Sequence, residues 1–375
     1  MLAYFLFCLL IFQLYYYVIT RHIRDWKSID IIPSNTNSTN FSFTILISAR
    51  NEGENIGNCI ESVLRNEYPK EKYQVLIIDD HSEDNTLEIC EEYASENPNV
   101  QILSLPENNL GKKAALIYGT ENAVNEIICT VDADSTVSTA HLETISTYFD
   151  NPKKMIFTGP VQFLYNNPFT KMMAMELAGL MIITGAGYVN KWHHLANGTN
   201  MGFRKDQFDV LGGYRGSEKY ASGDDMFLMN KYKIRYPKAT GFLKSKGAIV
   251  NTEAPQNFLD FFQQRIRWST KNKSFPDTGM KAVLILMFFT SLLIPLNIIL
   301  AVWGGFTFLI IAIIGLVIKS VADYHLISTG AKYFDIKGWR KIFLPSELFQ
   351  VFYVIIIGVA SLFKSKFTWK ERSVQ

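Results

Sequence analysis

Apolar residues gather in long blocks at the two ends of the chain and in short runs between them. Residues 1–20 and 282–318 carry no charged side chain, and 342–363 carries only Glu347. A run of about 18 apolar residues is enough to cross a bilayer. The pattern therefore predicts a membrane anchor over 1–20 and a C-terminal membrane region over 280–363 of about three helices, followed by a basic tail, 364–375. The first block lacks a basic leader and a small-residue cleavage site, so it reads as an uncleaved anchor. Arg21, Arg24 and Lys27 follow it, and the positive-inside rule places the next segment in the cytoplasm. If 282–318 is two spans meeting near Trp303, the segment with Lys319, Lys332, Lys337, Arg340 and Lys341 returns to that same side.

Between the blocks the pattern changes. A linker, 21–40, ends in a polar tract from Pro33 to Asn40, and 41–275 is long enough for one α/β domain with its own core. FTILISA (43–49) reads as a buried strand, and Ile56, Cys59, Ile60, Val63 and Leu64 follow at helical spacing until Tyr68-Pro69. The alternation repeats: VLII (75–78), VQILS (100–104) and IICTV (127–131) each precede a helix, starting near Asn85, Lys112 and Thr139. Strand and helix in alternation predict a mostly parallel sheet, whose ligands bind beyond the carboxyl ends of the strands.

Composition narrows the function. A formal charge of +2 argues against a nucleic-acid partner, and the continuous apolar blocks exclude a disordered or fibrous chain. Cys8, Cys59, Cys90 and Cys129 are widely spaced, without a CxxC pair, which suits reduced, packed thiols in a cytosolic compartment.

Chemistry-bearing residues collect where the strands end. Arg50-Asn51-Glu52 follows the first strand, Asp79-Asp80 the second, and Asp132-Ala133-Asp134 the fourth. Two carboxylates two residues apart suit a hard divalent cation and a substrate hydroxyl; an Asp before a helix is also an ordinary cap. Asp79 and Asp80 sit too early to cap and can accept from a base N–H or a ribose, whereas Asp84, Asn85 and Thr86 are cap chemistry. Gly111-Lys112-Lys113 opens a helix and would face a phosphate, or be two solvated lysines. The adjacent carboxylates of Gly223-Asp224-Asp225 repel and would raise one pKa, which suits a base; a turn fits the same residues. Gln264, Arg267 and Trp268 of QRIRW offer a guanidinium for a diphosphate and a platform for a sugar ring, or one face of a basic amphipathic helix at a membrane surface. The Met-rich run 171–181 reads as core packing or a membrane-facing helix, and Asn197-Gly198-Thr199 matches a glycosylation pattern that a cytosolic placement makes irrelevant.

In this order the motifs ISARNEGENIGNCIESVL, LIIDDHSEDNT, GKKAAL, VDADS, the GGY of Gly212 to Tyr214, SGDD and QRIRW resemble the membrane-bound family 2 glycosyltransferases, in the branch of hyaluronan, cellulose and poly-N-acetylglucosamine synthases. The resemblance covers about 44–268. It implies a GT-A fold, α/β and Rossmann-like, flanked by transmembrane helices, and inverting transfer from a nucleotide sugar, UDP-linked in the first instance. Carried over by position, Asp79 or Asp80 contacts the base, Asp132 the nucleotide or sugar, and Asp134 binds Mg2+ or Mn2+. Asn51, Glu52 and Lys112 join the donor site, Asp225 beside Asp224 is the base, and Gln264, Arg267 and Trp268 close over diphosphate and acceptor.

The membrane part departs from that branch, with fewer helices than a polymer channel uses and no second N-terminal span. The expectation is therefore a multi-pass inner-membrane enzyme, catalytic domain in the cytoplasm, moving one sugar to a lipid or lipid-linked glycan. The rivals are a processive synthase acting as an oligomer or with a partner subunit, and a non-catalytic scaffold that binds nucleotide sugars.

Overall fold

The structure is a computed structural model and describes residues 1–34, 36–216, 223–274, 277–363, 367–369 and 372–374. Ser222 of the SGDD motif and Lys364, Lys366 and Lys370 of the basic tail lie outside the described residues.

The chain opens with helix α1 (Leu2–Lys27), then alternates β1 (Phe43–Ala49), α2 (Ile56–Leu64), β2 (Tyr73–Asp79), α3 (Thr86–Glu96), β3 (Val100–Ser104), α4 (Lys112–Asn122) and β4 (Ile127–Asp132). Next come β5 (Ser135–Val137), α5 (His141–Phe149), β6 (Ile156–Thr158), β7 (Val161–Leu164) and the long helix α6 (Pro168–Asn190). After it lie β8 (Met201–Arg204), α7 (Lys205–Val210), α8 (Asp224–Arg235), β9 (Thr240–Phe242) and β10 (Val250–Glu253). Four helices follow: α9 (Phe258–Ser274), α10 (Thr278–Gly304), α11 (Phe306–Tyr333) and α12 (Phe343–Phe363).

These elements form two compact units. The first comprises Asp30–Leu164, Leu195–Glu253 and Thr368–Gln375, and holds the sheets. Its main sheet has the order β3-β2-β1-β4-β8-β6-β9. The first four strands are parallel, β8 runs antiparallel to β4 and β6, and β9 is parallel to β6. β5, β10 and β7 make a smaller sheet. Strands β1, β2 and β4 are continuous apolar runs because both faces of the sheet are covered. Ile45, Ile47, Ile77 and Cys129 pack with Ile56, Cys59, Ile60 and Val63 of α2 on one side. On the other face α4 approaches so closely that a Cβ at Gly119 would collide with Leu46. In this register Ala49 lies opposite Asp79 and Ser48 opposite Asp132, so β1, β2 and β4 end along one edge.

The second unit comprises Met1–Ile29, Tyr165–His194 and Ala254–Phe367. Where the sequence reading ran one domain over 41–275, the structure groups α6 and α9 with the helices. Among the described residues five helices are long and apolar enough to cross a membrane: α1, α6, α10, α11 and the Trp339–Ser361 stretch that contains α12. α6 meets these criteria by length and composition alone: β4 before it and β8 after it pair in one sheet, so it does not carry the chain across in a single pass. A capping box between Asn167 and Thr170, with Pro168 just inside it, starts this helix. Gly305, at φ 88°, separates α10 from α11, which makes 282–318 two helices. α1 runs on to Lys27, seven residues into the segment, 21–40, read as linker.

Lys319, expected in a basic segment beyond a span, is instead buried inside α11. Its ammonium donates to Asp323 (2.5 Å), Glu347 (2.9 Å) and Gln350 (2.7 Å), and Tyr15 of α1 donates to Asp323 at 2.5 Å. A charge in an apolar bundle persists only when paired, and these pairs tie α1, α11 and α12 together. Cys8, Phe12, Leu293, Ile294, Ile311 and Val351 pack as a core of this unit.

Candidate active site

The edge formed by the ends of β1, β2 and β4 is built from loops that brace one another. Arg50, buried, donates to the carbonyls of Asp80 (2.9 Å) and His81 (2.5 Å) and pairs with Glu83 at 3.0 Å. Asn51 adopts a left-handed φ of 49°; its N–H donates to the Ser82 hydroxyl and its side-chain oxygen accepts from the Glu83 N–H. The loops after β1 and β2 therefore form one rigid piece. Asp84 accepts from the Gly53 and Thr86 N–H groups, the capping role read from sequence. Burial opposes its ionisation, yet these bonds and the Thr86 hydroxyl hold its carboxyl below the ordinary value.

Asp79 and Asp80 differ in what they have to spare. Asp80 Oδ2 accepts the Gly111 N–H at 3.0 Å, which fixes the start of α4. Asp79 Oδ2 accepts from Ser82 N–H at 3.2 Å, whereas its buried Oδ1 has no hydrogen-bond partner among the described residues. A buried acceptor left unmade is costly and marks a place for a donor.

The amino end of α4 bridges the acids. Lys112 pairs with Asp132, and Lys113 with Asp224 at 3.2 Å. Burial works against the charge on Lys112, but Asp132, Asp225 and Asp224 together raise its pKa. Asp134 is solvent-accessible, yet surrounding protein withdraws water from it and the carboxylates of Asp132 and Glu52 add repulsion, pushing its carboxyl up to about 6. Ser135 donates to Asp134 at 3.1 Å. Glu52 is held by its own loop, accepting from the Asn55 amide at 3.1 Å.

A loop with no role in the sequence reading joins the two aspartate motifs. Thr199 Oγ1 accepts the Asp132 N–H at 3.2 Å and donates to Ser135 at 2.9 Å. Gly198 N–H donates to Asp225 Oδ2 at 3.1 Å, and its carbonyl accepts from Thr130 at 2.5 Å. Asp225 Oδ1 accepts the Met226 N–H at 2.8 Å. The NGT tripeptide read only as a glycosylation pattern thus holds the VDAD and GDD acids in register. Gly212 and Gly213 of GGY take left-handed φ values of 70° and 50°, a turn.

Within one unit the structure gathers Asn51, Glu52, Asp79, Asp80, Lys112, Asp132, Asp134, Asp224 and Asp225. Gln264, Arg267 and Trp268 belong to the helical unit, on α9. There the residue between them, Arg265, is the anchor: it is buried and pairs with Glu176.

Among the described residues no three Asp, Glu, His or Cys side chains converge as a self-sufficient metal cage. Mg2+ and its kin are commonly held by one or two carboxylates plus substrate phosphates. Asp134, crowded by like charges, fits that kind of site.

Residues 44–212 match the family model described as Glycosyl transferase family 2. That match covers somewhat under half of the chain. Glycosyltransferase AglE of Haloferax volcanii is 32% identical over 124 residues, 33% of this chain and 40% of that protein. Poly-beta-1,6-N-acetyl-D-glucosamine synthase of Staphylococcus epidermidis is 27% identical over 238 residues, 60% of this chain and 53% of that protein. The chain thus spans about half or less of these curated relatives' own length. The solved structure of a mannosyltransferase from Pyrobaculum calidifontis, in complex with GDP-mannose and Mn2+, aligns over 96% of both chains with a TM-score of 0.58 and 18% identity. That likeness shows the fold, a GT-A-like α/β domain with a mostly parallel sheet. The matched model and the glycosyltransferase relatives support a transferase domain over this part of the chain.

Proposed function

We propose that the chain is an inverting glycosyltransferase of the branch containing hyaluronan, cellulose and poly-N-acetylglucosamine synthases, and that it moves one sugar from a nucleotide donor to a lipid or lipid-linked glycan held at the bilayer. The observation that carries this reading is the 197–200 loop, which fixes Asp225 to Gly198 and Asp132 to Thr199 and so couples the VDAD and GDD motifs.

In this reading Asp79 Oδ1 accepts an N–H of the nucleobase, and Lys112 and Lys113 exchange their carboxylates for diphosphate oxygens. Asn51 and Glu52 shape the donor loop, and Asp132 meets the nucleotide or sugar. Asp134, with Asp132 beside it, would hold Mg2+ or Mn2+, which supplies positive charge to the departing diphosphate. Asp225 takes the proton of the acceptor hydroxyl; the hydroxyl oxygen bonds to the anomeric carbon, and the diphosphate leaves with the bonding pair. Since a diphosphate leaves as an anion, no second carboxylic acid is needed, unlike in a glycosidase. Gln264 and Arg267 toward the diphosphate, and Trp268 toward the acceptor, are roles proposed from the motif.

Helices long and apolar enough to cross a membrane, together with Arg21, Arg24 and Lys27 at the carboxyl end of α1, support an inner-membrane, multi-pass placement with the sheet-bearing unit in the cytoplasm. The similarity to a poly-N-acetylglucosamine synthase favours one second reading, a processive synthase acting as an oligomer or with a partner.

The test is release of nucleoside diphosphate by the purified full chain from a panel of UDP- and GDP-sugars with Mg2+ or Mn2+ and membrane lipid. Turnover of one donor class supports the reading. Binding without turnover for every donor favours the scaffold and overturns it.

A further inference from the structure

QRIRW sits on a helix whose attachment has its own chemistry. Arg265 donates through Nε to Glu176 Oε1 at 3.2 Å and through Nη2 to Glu176 Oε2 at 3.0 Å, a two-pronged pair between α9 and α6. Its third arm, Nη1, donates to Gln264 Oε1 at 2.8 Å. The guanidinium lies over the rings of Trp268 (4.4 Å) and Phe261 (4.8 Å). The Tyr353 hydroxyl of α12 donates to Glu176 Oε1, the oxygen that accepts from Arg265 Nε. Phe261 meets Tyr353 edge-on at 5.0 Å and Phe349 at 5.5 Å, closing the apolar side.

One carboxylate thus fixes one guanidinium, and that guanidinium fixes the residues on both sides of it in the motif. A buried Arg without its counter-charge is strongly destabilised, so loss of Glu176 would turn Arg265 toward water and release both Gln264 and Trp268. We propose that Glu176, Arg265 and Tyr353 are positioning residues for the QRIRW helix: they set the orientations of Gln264 and Trp268 without themselves touching substrate. This rests on the glycosyltransferase reading for its kinetic consequence, and on geometry alone for its structural one.

The experiment uses the full chain in detergent or native membrane, with Glu176→Gln, Arg265→Lys and Tyr353→Phe. The chain has 6 Trp, so each protein is compared with its own Trp268→Phe partner to isolate the Trp268 emission. Glu176→Gln and Arg265→Lys are expected to shift that emission to the red. They should also lower kcat about tenfold or more with donor KM changed less than about twofold, because each breaks charge-assisted bonds of the fork. The double variant should be no worse than either single, since both break one linkage. Tyr353→Phe leaves the fork and should cost only about two- to threefold. A pair that merely staples helices would lower the melting temperature and leave the folded protein's Trp268 emission and kcat alone. Unmoved emission in Glu176→Gln and Arg265→Lys overturns the proposal whatever the activity, and so does unchanged kcat. If the wild-type chain turns over no nucleotide sugar, the transferase reading falls and the emission result alone decides the positioning role.

Discussion

Replacing Asp225 with Asn separates chemistry from architecture at the proposed base. The carboxylate accepts Gly198 N–H at 3.1 Å through Oδ2 and Met226 N–H at 2.8 Å through Oδ1. An amide keeps one oxygen, so its NH2 must face one of those two donors and one bond to a charged acceptor is lost, about 1.5–3 kcal/mol. In a unit of this size that lowers the melting temperature on the order of 5 °C. Removal of a positioned base costs about 10²–10⁴ in rate, or roughly 3–5 kcal/mol in the barrier. Nucleotide binding should hold or tighten, because one negative charge leaves the neighbourhood of a diphosphate. The assay is steady-state turnover well below the melting midpoint, with donor KM and a melting curve measured on the same preparation. Turnover above about 1% of wild type, with folding intact, would refute the assignment of Asp225 as base.

Chelation and Asp134→Ala should each remove metal-supported nucleotide binding, read by UDP and GDP titration with and without Mn2+; full metal-independent turnover would reduce VDAD to a turn. His141, buried at the start of α5, is lowered by desolvation from the ordinary 6.5 to about 4, so the folded chain binds fewer protons than the unfolded one between those values. Stability is therefore expected to fall by about 3 kcal/mol as pH drops from 6.5 toward 4, a loss that His141→Gln should remove in pH-dependent melts. With Lys332 at the last turn of α11, Lys332→Cys should react with an impermeant thiol reagent only after the membrane is opened; labelling in intact cells would invert the proposed topology.

The central strands were legible because burial on both faces makes β1, β2 and β4 continuous apolar runs that local sequence displays. β5, β6 and β9 were not, because three residues are too few to show a period and their pairing is decided by distant partners. The Met-rich run of α6 was read as core packing or a membrane-facing helix, and its Gly, Thr and central Glu176 dilute the apolar pattern that its full length displays. The acids were legible as types at strand ends. Their linkage was not: Thr199 meets Asp132 across 67 positions, and Gly198 meets Asp225 across 27, separations that no motif spacing encodes. The same holds for QRIRW, where sequence pointed to Arg267 and the structure shows Arg265 anchored by Glu176, 89 residues away.

The decisive measurement is transfer itself. Membranes carrying the full chain, given labelled UDP- and GDP-sugars with Mn2+, should pass label from one donor class into the lipid extract, and the same membranes with Asp225→Asn should not. Label in neither lipid nor insoluble glycan from any donor, or equal labelling by the Asp225→Asn protein, would contradict the proposed enzyme.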